Sequence, residues 1–123
     1  MKKALVFITI VAIFTLSGCA PVIRFSDYVT GKVQIEQKKQ ADRTVAQVKC
    51  QELCQQTLSN DGQDFPSGPC LSNEIIPDWA CDVAHSPRQP IDDDPRNGCS
   101  SFREGKTHHF VEIDGNCNLI KIY

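Results

Sequence analysis

Asp82, His85, His108 and Glu112 are the side chains whose types allow acid–base or metal chemistry. Asp82 and His85 stand three apart and share a face if their stretch is helical. Adjacent His108 and His109 would point to opposite faces of a strand, so at most one of them joins a given site. A metal site, or a hydrolytic one, could be assembled from His85, one of those histidines and Asp82 or Glu112. Zinc sites usually announce themselves by paired ligands such as HExxH, and that pattern is absent. The run IDDDPRNG carries three carboxylates, but a calcium loop alternates its acidic positions and ends on a distant Glu. Here Asp92, Asp93 and Asp94 are consecutive and Pro95 follows, which reads as a solvated acidic turn. No Gly-rich phosphate loop, GxSxG elbow or Ser/His/Asp ordering is present. The motifs therefore name no catalytic residue and imply no cofactor.

Cysteine is the stronger signal. The chain has seven. Cys50 and Cys54 form a CxxxC pair whose side chains stack on one face of a helix, which suits two bridges to a facing segment better than one bridge between them. Redox catalysis would favour CxxC beside a βαβ pattern, and neither occurs.

Cys19 belongs to a different context. Lys2 and Lys3 precede an uncharged run from Ala4 to Ser17, ALVFITIVAIFTLS, and small residues then lead into Cys19. A basic end, a short apolar run and a small-residue cleavage site describe a secretory signal peptide. A spanning helix would need roughly 20 apolar residues. Leu16, Ser17, Gly18 and Cys19 resemble the lipobox of bacterial lipoproteins. The resemblance implies cleavage before Cys19 and acyl groups, palmitate among them, on its sulfur and new amino group. It also implies membrane attachment through that lipid, with two or more chains needed for a stable anchor. Ala20 does not signal inner-membrane retention in Gram-negative members, so the outer membrane is the expected destination where one exists.

Loss of residues 1–18 leaves 105 residues, enough for one small domain. It also shifts the formal charge from −2 to −4, because Lys2 and Lys3 leave with the signal. A mildly acidic exported domain lacks the basic patch that nucleic acid demands. The other six cysteines, Cys50, Cys54, Cys70, Cys81, Cys99 and Cys117, are even in number and in an oxidising compartment. Three disulfides are expected, with 15 connectivities open.

The elements that must position these residues are read as follows. Residues 19–32 are a lipid-attached tether, and 33–123 a cysteine-rich α+β domain. From Val33 to Ser59 the chain lacks Gly and Pro and reads as one helix, with Ala46, Cys50, Leu53 and Thr57 on one face and Cys54 beside them. Its N-terminal half is polar all round, and Asn60–Gly62 is a stop signal. Residues 61–101 hold six of the seven prolines and read as bridged irregular coil, with at most a helical turn around Pro77 to Val83. THHFVEID and CNLIKIY flank Asp114–Asn116 as a C-terminal β-hairpin. Val111 and Ile113 lie on the face of His109, while Phe110 and Glu112 lie on that of His108.

The resulting expectation is a lipid-anchored cell-envelope protein that binds or positions another envelope component without catalysis. Its contact surface is expected over Trp79 to Pro95, presented by Trp79, His85 and Arg88. The competing expectation is a small metal- or ligand-binding protein, or a hydrolase, built on Asp82, His85, His108 and Glu112. That alternative requires the four side chains to converge.

Overall fold

The computed structural model describes residues 20–61 and 65–123. The signal segment and Cys19 lie outside them. Helix α1 runs Ala20–Asp61. It starts earlier than Val33 and takes in 20–32, the segment read as a tether. Within it Gly31 is an isolated penalty of about 1 kcal/mol. The helix ends at Asp61, where the Asn-Asp-Gly stop was placed.

The chain divides into two units, up to Lys39 and from Gln40 onward. In the first, Tyr28, Val29, Val33 and Ile35 are exposed along the helix, Lys39 pairs with Glu36 at 3.4 Å, and the Lys32 ammonium lies 4.8 Å from the Tyr28 ring centre. No helix among the described residues is long and apolar enough to cross a membrane.

The second unit contains the rest of α1 and a four-stranded sheet in the order β1-β2-β3-β4. The strands are β1 Cys70–Ile76, β2 Trp79–Val83, β3 His109–Ile113 and β4 Leu119–Ile122. β1 and β2 correct the expectation of coil in the middle of the chain: they pair antiparallel across a tight turn. Pro77 and Asp78 form that turn, Asp78 at φ 71°. Pro pre-sets the first corner and Asp tolerates the left-handed second one. The expected hairpin forms from β3 and β4, with Asp114 Oδ1 accepting from the N–H groups of Asn116 and Asn118.

Between the two hairpins, β2 and β3 run parallel and in register, Cys81 beside Val111 and Asp82 beside Glu112. Because side chains alternate along a strand, Trp79, Cys81, Val83, Val111 and Ile113 share one face, and Ala80, Asp82, Phe110 and Glu112 the other. The first face is the core. There Ala46, Cys50 and Cys54 of α1, spaced four apart, are fully buried with Cys81, Val111 and Ile113.

All six cysteines beyond Cys19 are paired. Cys50 joins Cys81, Cys54 joins Cys117, and Cys70 joins Cys99. Cys50 and Cys54 thus do bridge outward, one to β2 and one to the β3–β4 turn. The fold is a small disulfide-stapled α+β domain.

The crossover from β2 to β3 returns over the second sheet face, carrying a 3-10 turn at Pro90–Asp93 and the single-turn helix α2, Ser100–Arg103. Asn73 of β1 fixes α2. Its Oδ1 accepts from the Ser101 N–H at 2.9 Å and from Ser100 Oγ at 3.1 Å. Ser101 Oγ donates to the Asn73 carbonyl at 2.6 Å.

Candidate functional site

A cleft of about 360 Å³ opens on the sheet face turned away from α1, lined by Asp82, Glu112, Phe110, Phe102, Arg88 and Pro95 among others. Each element supplies its part for a local reason. Asp82 and Glu112 are adjacent because β2 and β3 pair in register. Phe110 is two residues from Glu112 on the same face. Phe102 reaches it from α2, ring centres 4.8 Å apart and nearly perpendicular, a favourable aromatic geometry.

Arg88 closes the cleft from the crossover. Its Nη1 donates to both Glu112 oxygens at 3.1 and 3.3 Å, its Nε to Asp93 at 2.9 Å, and its Nη2 to the Asp92 carbonyl at 3.2 Å. Glu112 is 8% exposed, so this guanidinium neutralises an otherwise unpaired buried charge.

Asp92 organises the crossover itself. Its side chain is 1% exposed and accepts from the N–H of Gln89 at 2.7 Å and of His85 at 3.1 Å, with His85 Nδ1 at 2.8 Å. Burial pushes the Asp92 carboxyl upward, but these hydrogen bonds outweigh it and hold the group below the usual carboxylate range. The space for it exists because residue 68 is Gly: a Cβ there would lie 2.7 Å from Asp92 Oδ1 and 2.9 Å from the Val83 carbonyl. The acidic run is therefore not a solvated turn. Asp92 points inward, Asp93 meets Arg88, and Asp94 meets Arg96 at 2.6 Å, which pulls the Asp94 carboxyl down to about 2.

Asp82 is the exception to this pairing. Its Oδ1 is buried with no hydrogen-bond partner. Burial first, and then the neighbouring Glu112 charge, push its carboxyl up to about 7, against weaker pulls from the Val83 N–H and Arg88.

The four chemically capable residues do not form one site. Asp82 and Glu112 meet in the cleft. His85 is committed to Asp92, and His108 lies by the β1–β2 turn with its Nδ1 2.6 Å from Asp78 Oδ1. Among the described residues no group of three or more His, Cys, Asp or Glu side chains is placed to hold a metal ion.

The expected contact trio also separates. Trp79 is 7% exposed, because its strand position faces α1, and it stacks on His109 at 4.7 Å. Arg88 and His85 hold the crossover together and do not form a free surface with Trp79. Sequence reading missed Phe102, Phe110 and the organising role of Asp92. The alternation that put Phe110 beside Glu112 on one strand face was the available signal for the cleft. No protein-family model, curated protein or solved structure matches the chain.

Proposed function

We propose that this chain is an exported cell-envelope binding module, acylated on Cys19, whose ligand site is the Asp82/Glu112 cleft. The observation that carries the binding reading is the cleft itself: a concave, partly apolar cavity with two carboxyl and two guanidinium groups in its lining, on a sheet locked by three disulfides. Small-ligand sites are concave and largely apolar, with few polar groups. Binding fits better than catalysis because Glu112 commits both oxygens to Arg88, leaving no free partner for Asp82 in a general acid–base pair. The anchor reading rests on Leu16–Cys19 and the run before it, and Ala20 supports the outer membrane as the destination where one exists.

The intact mass of membrane-extracted protein tests the anchor. The expected result is a chain starting at Cys19 with added acyl mass, and a Cys19→Ser variant that leaves the membrane fraction. A non-acylated chain starting elsewhere would overturn it.

A further inference from the structure

We propose that the cleft takes an alkylammonium group, such as the end of a lysine side chain or a free amine, with Asp82 as its counter-ion and Phe102, Phe110 and Pro95 around its stem. This rests on the binding reading above and is independent of the lipid anchor.

Charge selects the class. Glu112 on β3 lies directly beside Asp82, and Asp92 adds negative potential from the crossover. Two cations share the lining. Arg88 has its donors on Glu112, Asp93 and the Asp92 carbonyl, and Arg103 of α2 donates to the Pro95 carbonyl. An anionic ligand would meet two carboxyl groups and, in Arg88, a guanidinium already engaged. A metal ion would find no third ligand of the usual kind and apolar walls.

An ammonium finds its complementary group at Asp82, with Arg88, Arg103 and Lys121 the cations it must avoid. It offsets the repulsion between Asp82 and Glu112 and supplies hydrogen-bond donors where Asp82 lacks one. The Phe110 ring already has the Lys121 ammonium 5.5 Å from its centre and Tyr123 stacked at 5.5 Å, so among the aromatic walls the further cation contact falls to Phe102. The four-carbon stem of a lysine is apolar and suits the walls. A neutral ligand of the same shape would bring no charge to pair with Asp82.

The surroundings that make Asp82 hold a proton near pH 7 make that proton the competitor of the ligand. Binding at pH 7 should therefore expel about half a proton per ammonium, and affinity should rise as pH goes from 5 to 8.

The test is isothermal titration of the full-length, disulfide-bonded protein in detergent with n-pentylamine, 1-pentanol and pentanoate, in two buffers of different ionisation enthalpy. Nα-acetyl-lysine amide, with only a side-chain ammonium, and glycine amide, with only an α-ammonium, separate a lysine source from a chain-terminal amine. Expected are saturable pentylamine binding with proton release, at least tenfold weaker pentanol binding, and loss of at least tenfold in Asp82→Asn. Pentanol or pentanoate binding as tightly as the amine would overturn the ammonium class and leave the binding module standing. No saturable binding of any probe would overturn both. If Asp82→Asn fails to fold, Phe102→Ala decides: pentylamine affinity unchanged from the wild type overturns the proposal.

Discussion

Consecutive residues of β2 and β3 look into two unlike environments. Trp79, Cys81 and Val83 face α1 among Val111, Ile113 and the buried turn of Ala46 to Cys54, an apolar layer crossed by two disulfides. Asp82, Phe110 and Glu112, the residues between, face a crossover held by ion pairs and carboxylate hydrogen bonds, with Cys70–Cys99 at its margin. A domain this small buries little apolar surface, and on the α1 face covalent links add what the core lacks. That reserve lets the opposite face keep a carboxyl oxygen buried and unsatisfied, which ordinarily costs about 1–3 kcal/mol. Stability is concentrated on one side of the sheet, and unrelieved chemistry on the other.

Variants can break this contrast, the most severe first. Replacing Cys54 and Cys117 together with Ala opens a link of sequence separation 63 and should cost about 4 kcal/mol, read from urea midpoints. Little loss would mean that the apolar layer holds α1 unaided. On the other face, Arg88→Met strips Glu112 of its partner and should cost about 3 kcal/mol. Adding Glu112→Leu should recover most of that loss, and a double variant no better than the single one would rule out an uncompensated buried charge as the cause. Gly68→Ala forces a side chain into φ +60° and against Asp92 Oδ1, for about 2 kcal/mol, with faster proteolysis within 84–98.

The smallest effect concerns Asp82, whose carboxyl is pushed up to about 7 from 3.8. The folded state holds that proton more tightly than the unfolded chain. Its contribution is therefore full below pH about 4 and is lost as pH rises through about 7. Solvent at the cleft mouth screens the effect to about 1 kcal/mol. Asp82→Asn should flatten the stability profile between those pH values. An unchanged slope would assign it to other groups.

The sequence shows the core side more plainly than the cleft. The four-residue spacing of Ala46, Cys50 and Cys54 writes the buried stripe of α1 directly, and the alternation after Thr107 with Asp-Gly-Asn writes the last hairpin. The β1–β2 hairpin was obscured because prolines and cysteines crowd short strands, although Pro77-Asp78 between Ile76 and Trp79 is a turn signature with a mechanism. The cleft depends on β2 pairing parallel with a strand 25 residues further on, a non-local choice that no local pattern encodes. Side-chain parity could say that Phe110 and Glu112 share a face, but not that Asp82 would join them. Asp92 looked like its two acidic neighbours, and only the cavity left by Gly68 singles it out.

Cys50 and Cys54 stand one helical turn apart on α1 and bridge to different parts of the sheet. Two pins through one turn fix both the rotation of the helix about its axis and its position along it. A pull on α1 at that turn reaches β2 and the β3–β4 loop through sulfur–sulfur bonds, without first loading a hydrogen bond. Tension at that turn enters β2 at Cys81, the residue next to Asp82 of the cleft.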